Sequence, residues 1–268
     1  MSHFGKLQNP MTHRGINWLG MFTLYLKECR RFINIAAQTL IAPSITNLLF
    51  FTIFTLALKT NSDSDNLQYI KNFLAPGIIM MTIMQNAFTS VSSGILISKI
   101  QGAFVDLLLS PITPFEMTAS FLMSGVTRGL LVGISCLLPL LFFISPAPDN
   151  WWVIFYFAMM GSLWMAGLGM LCGVLAYKFE HMNAFTNFVI TPLIFLSGTF
   201  YSVQNLHPIL QKIAHADPFF FIIDGFRHGF LAESDASLAL SMTTIFVINS
   251  LLVISCWLIV RSGFRLKT

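Results

Sequence analysis

Six apolar stretches, each about long enough to cross a bilayer, dominate the chain and leave few folds open to it. In hydrocarbon every backbone N–H and C=O needs a partner within the protein, so continuous runs of this length are read as helices. Apolar length places the spans at about 33–58, 72–97, 117–144, 151–177, 184–202 and 238–261. Apolar residues fill 55% of the 268 positions and charged residues only 10%, against roughly 25% charged in soluble domains. Six helices and their short loops use nearly all of the chain. The sequence therefore predicts one all-α integral membrane domain over 1–268, with no separate soluble domain and no cleavable signal in the polar residues 1–14.

Ahead of the first span, Trp18, Phe22, Tyr25, Cys29 and Phe32 recur at steps of 4, 3, 4 and 3. That spacing predicts an amphipathic helix over 15–32, lying in the headgroup plane with Lys27, Arg30 and Arg31 on anionic lipid. Pro43, Pro76, Pro139 and Pro192 fall inside spans, where they bend helices and free carbonyls that neighbours must satisfy. The second span is polar for its setting, with Thr82, Gln85, Asn86, Thr89, Ser90, Ser92 and Ser93. Such a helix suits packing among helices or a wet path.

Basic residues give the orientation. With both termini inside, the cytoplasm holds Lys6, Arg14, Lys27, Arg30, Arg31, Lys99, Lys178, Arg261, Arg265 and Lys267. The outside holds only Lys59, Lys71, Lys212 and Arg227, which is the bias expected of a cytoplasmic N- and C-terminus. The net charge of +4 then reflects membrane orientation and gives no reason to expect nucleic acid as a partner. Arg128 remains, about one-third of the way into the third span. It is predicted to turn towards cytoplasmic headgroups or polar second-span groups, or to meet a cargo headgroup.

Several chemistries lack their residues. Glu116, at a span edge, is the one carboxylate placed for ion coupling. Ser135 lies within a span, but the histidines at 3, 13, 181, 207, 215 and 228 all fall outside the spans, so an intramembrane hydrolase has no base. Cys29, Cys136, Cys172 and Cys256 show no metal-ligand spacing and read as packing residues. No GxxxxGK[ST] loop is present, so any ATP and magnesium must be bound by another subunit. A membrane scaffold or passive channel, and more remotely an intramembrane enzyme, are the competing readings.

Two segments look too short to cross. In the loop 98–115, Gln101 to Leu109 forms a helical run ended by Ser110-Pro111. Its Phe104, Leu107 and Leu108 lie close enough together to fill a groove on a soluble partner, or else form an interfacial turn on lipid. In 203–232, Val203, Leu206, Leu210 and Ile213 have near-helical spacing, and a second apolar piece follows Asp217-Pro218. The two pieces read as a re-entrant hairpin between spans five and six that enters the outer leaflet and returns. Asp224 and Arg227, three apart on one helical face, are read as an exposed pair holding it, worth at most about 1 kcal/mol.

"LAPGI" (74–78), "GAFVDLLLSPITPFEMTAS" (102–120) and "PLIFLSGTFYSVQNLHPILQKIAHADPFFFIIDGFRHGF" (192–230) resemble the membrane subunit of type-2 ABC exporters, over the whole chain. The resemblance implies a homodimer in a bacterial inner membrane, bound to two copies of a separate ATPase and exporting a lipid, glycan or drug-like molecule. It makes Gln101 to Leu109, with Gly102 and Asp106, the coupling helix seated in the ATPase. Gly15 to Phe32 becomes the connecting helix, and Lys178, Glu180 and His181 a second ATPase contact. It also implies that Pro43, Ser44, Thr46 and Asn47, with Phe195, Ser197, Gly198, Phe200 and Tyr201, face the route between protomers.

Overall fold

Every regular element among the described residues is helical, as the apolar runs require. The structure is a computed structural model, and it describes residues 16–59, 64–143 and 148–263. In chain order the elements are α1 (Trp18–Ile33), α2 (Ala42–Lys59), α3 (Ser64–Ile100), α4 (Ala103–Leu109) and α5 (Pro114–Leu140). They continue with α6 (Trp151–Leu175), α7 (Phe179–Phe185), α8 (Thr191–Leu196), α9 (Pro208–Ala216), α10 (Pro218–Leu231) and α11 (Leu238–Ser262). Of the ends expected to be cytoplasmic, 1–14 and 262–268, all but Ser262 and Gly263 lie outside the described residues.

Among the described residues, five stretches are long and apolar enough to cross a membrane: Ala37–Ala57, Gln68–Ile100, Pro114–Leu140, Trp151–Leu175 and Leu238–Ser262. The expected fifth span at 184–202 differs from them. Its helix starts earlier and stops earlier, running through α7, a π-helical turn Thr186–Ile190 and α8. Pro192 lacks an N–H, and the wider π turn just before it absorbs the register change. The same arrangement precedes Pro43, where Ala37–Ile41 is π-helical. Beyond Leu196 the chain turns at Gly198, whose φ of 83° suits glycine.

The bundle is built around α3. In the most apolar window of α3, 83% is buried, against 17% for α2 and 28% for α11. The last two therefore keep broad apolar faces for lipid or another chain. Small residues set the close approach of α3, α5 and α6. A side chain at Gly125 would strike Val91 and Ala166, and one at Gly169 would strike the Phe88 carbonyl. The four cysteines are free thiols, three of them buried.

The amphipathic stripe of α1 divides where the expectation kept it whole. Leu24, Cys29 and Phe32 are buried, while Trp18 and Phe22 stay exposed. The reason is that α1 packs along α5 rather than standing apart from the bundle. The Ser120 hydroxyl donates to the Met21 carbonyl (2.9 Å), and Tyr25 shares a hydrogen bond with Thr127 (2.9 Å).

Candidate functional site

At one end of the bundle the chain leaves α3 through Gly102, in the left-handed conformation at φ 73°, and enters α4. The left-handed residue starts the helix at Ala103, two residues later than the expected Gln101. Ser110 is extended and ends α4, and Thr113 then opens α5. The Thr113 Oγ1 accepts from the Glu116 N–H, the Glu116 Oε2 accepts from the Thr113 N–H (2.8 Å), and Pro114 takes the first turn.

Glu116 does more than complete this box. Its Oε1 accepts from the Asn17 N–H (2.6 Å), while Asn17 Oδ1 caps α1 at Gly20 and Asn17 Nδ2 donates to the Pro111 carbonyl. One buried carboxylate thus locks the start of α1, the α4–α5 link and the start of α5 together. With its oxygens engaged by backbone donors, Glu116 has a structural task, in line with the reading from sequence that ion coupling lacks its residues.

The outward face of α4 also differs from expectation. Phe104 is 2% exposed and packs with Leu24, Val91, Ile95, Met117 and Phe121, so it holds α4 to the bundle and cannot fill a partner's groove. The residues that face outward are Gln101, Gly102, Val105, Asp106 and Leu109, the last 80% exposed. The Leu108 side chain lies outside the described residues. Beside α4 a groove of about 500 Å³ runs against α1, lined by Leu19, Thr23, Lys27, Asp106, Leu107 and Pro111 among others. Lys178, Glu180 and His181 are exposed at the start of α7. Lys99, counted from sequence as a loop cation, is buried instead, and its Nζ donates to the Val174 (2.8 Å) and Ala176 (3.1 Å) carbonyls at the end of α6.

The residues expected along a route between protomers fall into two groups. Ser44 and Asn47 turn inward. The Ser44 Oγ donates to the Leu40 carbonyl and meets Ser135 Oγ at 3.1 Å, and Asn47 Oδ1 accepts from Thr82 Oγ1 at 2.8 Å. Ser197 and Gly198 are buried as well. Thr46 and Phe195 are exposed, and Pro43, Phe200 and Tyr201 are partly so. Phe200 stacks between Phe54 of α2 and Phe195 of α8, with centroids 4.6 and 5.5 Å away. The Tyr201 hydroxyl donates to the Phe195 carbonyl at 3.1 Å.

At the opposite end the first and last of the motifs singled out in the sequence meet. Pro76 disturbs α3, and Gly77 beside it leaves room for the Thr199 carbonyl, which a Cβ would strike. Arg227 of α10 reaches the same place. Its Nη2 donates to the Gly198 carbonyl (2.6 Å), its Nε donates to the Phe73 carbonyl (3.4 Å), and its guanidinium lies 3.8 Å from the Phe73 ring centroid. Asp224 accepts from the N–H groups of Asp235 (2.9 Å) and Ala236 (3.1 Å).

Asp224 is 2% exposed and Arg227 3%, and they make no direct ion pair, which corrects the expected surface pair. The helical spacing had put them on one face without showing that the face is covered by α3 and α6. Burial pushes the Asp224 carboxyl above its ordinary range, against the pull of its two backbone donors. Asp217 sits between α9 and α10, accepting from the Phe219 N–H (3.1 Å) and from Ser197 Oγ (3.0 Å). Its carboxyl is also raised by burial. Pro218 follows in the first turn of α10.

A second buried polar seam joins α1, α3 and α5. Glu28 is buried and pairs with Arg31 at 3.1 Å. Arg31 also donates to the Ser90 carbonyl and to Ser93 Oγ (3.3 Å), and Arg128 Nη2 donates to Asn86 Oδ1 (3.3 Å). Arg128 is therefore held by a polar group of the second span, one of the outcomes expected for it. It stands near the middle of α5, deeper than one-third, because the capping box starts that helix at Pro114 and the helix ends at Leu140.

A family model described as ABC-2 type transporter matches residues 20–231. The chain belongs to the ABC-2 type transporter family. Among its relatives, the inner membrane transport permease YadH of Escherichia coli K12 is 32% identical over 252 residues, covering 94% of this chain and 98% of its own. Nodulation protein J of Neorhizobium galegae is 23% identical over 179 residues, covering 66% of this chain and 68% of its own. Nodulation protein J of Sinorhizobium fredii is 23% identical over 183 residues, with 68% and 69% covered.

For this ABC-2 chain, sequence reasoning missed Glu28, Lys99 and Gly77. From sequence Gly77 reads with Pro76 only as a helix disturber, not as the place where the Thr199 carbonyl comes close. Lys99 carries no spacing signal, since its partners lie 75 and 77 positions along the chain, whereas Glu28 stands three residues from Arg31, a spacing that sequence could have shown. The glycines at 125, 129 and 133, four apart on one face of α5, were a readable signal for close helix packing.

Proposed function

We propose that this chain is the permease subunit of an ATP-driven exporter in a bacterial inner membrane, with both termini cytoplasmic. Two copies form the membrane body, and each engages one copy of a separate ATPase that binds ATP and magnesium. The observation that carries the reading is α4: a short helix with an exposed outer face, fixed through Phe104 and through the Glu116 lock to α1, α3 and α5. A push on such a helix moves the bundle as a unit. Nothing in this chain binds a nucleotide by a phosphate loop, so a partner's ATP cycle is the energy source the α4 surface fits.

In this reading Phe179–Leu196 forms the sixth crossing. Its 18 residues rise about 27 Å, close to the hydrocarbon thickness of about 30 Å. α9 and α10, about 14 and 21 Å long, form a re-entrant hairpin on the outer side. The weakly buried face of α2 and the exposed residues Thr46, Pro192 and Phe195 line the boundary between the two copies. Ser44, Asn47 and Ser197 support that wall from behind. The cargo is an amphiphile, lipid, glycolipid or drug-like, moved outward.

The test is co-purification with the ATPase and measurement of ATP hydrolysis stimulated by the permease. Leu109→Asp and Val105→Asp place a charge on the exposed α4 face without disturbing the core, and both are expected to abolish capture of the ATPase while the permease stays folded. Unaltered capture and unaltered stimulation in both variants would refute the coupling role and favour a scaffold or passive channel.

A further inference from the structure

The seam between α1, α3 and α5 holds more positive charge than its own residues balance. Asn86, Ser90 and Ser93 lie on one face of α3, and they gather the guanidinium groups of Arg31 and Arg128 within about a turn of each other. Glu28 is the carboxylate paired there, and it serves Arg31. The charge that Arg128 feels is the like charge of Arg31. The Nε atoms of both arginines are buried without a hydrogen-bond partner. Arg128 stands about 21 Å along α5 from Pro114, a depth at which an unmatched guanidinium is costly. Gln85, Asn86, Thr89 and Ser93 are only partly buried, so a polar stripe on α3 leads to the two arginines. A planar guanidinium fork matches the paired oxygens of a phosphate or carboxylate.

We propose that Arg31 and Arg128 form a binding site for the oxyanion headgroup, phosphate or carboxylate, of an amphiphile seated on the Gln85–Asn86–Thr89–Ser93 stripe. The inference rests on the transport reading only in taking this amphiphile as the cargo class, and it narrows that class to anionic amphiphiles. The headgroup supplies the negative charge that the seam lacks, while Ser93, Asn86 and Thr89 offer it neutral hydrogen bonds.

The full-length permease, in neutral detergent and without the ATPase, is titrated with phosphatidylglycerol, a diacylglycerol of the same chains without phosphate, and inorganic phosphate, and bound species are counted by native mass spectrometry. The wild type is expected to hold phosphatidylglycerol about tenfold or more tightly than the diacylglycerol, the difference one or two charge-assisted hydrogen bonds supply. Arg128→Gln is expected to lose the preference and Arg128→Lys to keep most of it. Asn86→Asp, which neutralises the seam by adding a carboxylate and removes no cation, is expected to lose it as well. Equal binding of the two lipids by the wild type overturns the site without recourse to any variant. A retained preference in Asn86→Asp does the same, and inorganic phosphate displacing the lipid at equal concentration overturns the requirement for an amphiphile. Lost lipid preference with intact ATPase capture removes this site alone, whereas intact preference with no ATPase capture removes the transport reading alone.

Discussion

Replacing Arg227 by Met tests whether the end of the bundle opposite α4 is held by one buried cation. The substitution keeps an unbranched apolar stem and removes every donor. The Gly198 and Phe73 carbonyls each lose a charged partner, a loss of about 1.5–3 kcal/mol for a well-formed bond and less for the 3.4 Å contact to Phe73. The guanidinium over the Phe73 ring contributes about 1 kcal/mol more. Asp224 keeps its two backbone donors but loses the nearest opposite charge. The combined cost is about 3–5 kcal/mol, the range for breaking one side of a buried charged arrangement. For a chain of this size that is about 10 °C in Tm. Thermal unfolding of the detergent-solubilised protein, followed by tryptophan fluorescence, reads it. Arg227→Lys, with a point charge that cannot reach both carbonyls, is expected to fall between Met and wild type. A shift under about 3 °C in Arg227→Met would mean a contribution near 1 kcal/mol, as for an exposed pair, and the keystone argument would fail.

Phe104→Ala is expected to destabilise the protein by about 3–5 kcal/mol, in contrast to the docking variants at Val105 and Leu109, which should leave the melting temperature unchanged. Asn47→Leu should cost no more than about 1 kcal/mol and leave export intact, because Thr82 retains its bond to the Ile78 carbonyl; abolished export at normal expression would return Asn47 to the route. Cysteines at Gln204 and Lys212 should react with an impermeant thiol reagent added outside, whereas one at the buried Asp217 should not. With the Asp217 carboxyl raised in the folded state, its charged form is disfavoured there, so its contribution to stability falls as pH rises through the carboxylate range. Asp217→Asn should flatten that part of the stability–pH curve measured by thermal melts.

Helix type, the positions of most long helices and the short α4 were readable because apolar length and proline placement are local signals. Ser110-Pro111 marked the end of α4 to the residue, and Pro218 the first residue of α10. Which side of a helix faces inward was much less readable. Phe104 and Leu109 look alike in sequence, yet one is core and the other surface, because the difference lies in Leu24 and Phe121 on other helices. Arg227 counted as an outer-loop cation for the same reason: what covers it comes from α3 and from the turn at Gly198. In a membrane chain an apolar residue is at home on either face, so hydropathy carries little information on packing, and only the small-residue spacings on α5 and α6 give it away.

Arg227 meets the Phe73 carbonyl across 154 positions of sequence. On a ribosome adding about 5–20 residues per second, the Phe73 carbonyl of α3 waits about 8–30 s for the cation that meets it. During that interval α3 stands without its Arg227 contact, and a chain truncated before α10 never gains it. Biogenesis of this permease thus has a natural checkpoint close to its end, where the arrival of α10 converts a set of inserted helices into a closed bundle. A protease that senses incompletely packed helices would read every chain stalled before that point as unfinished.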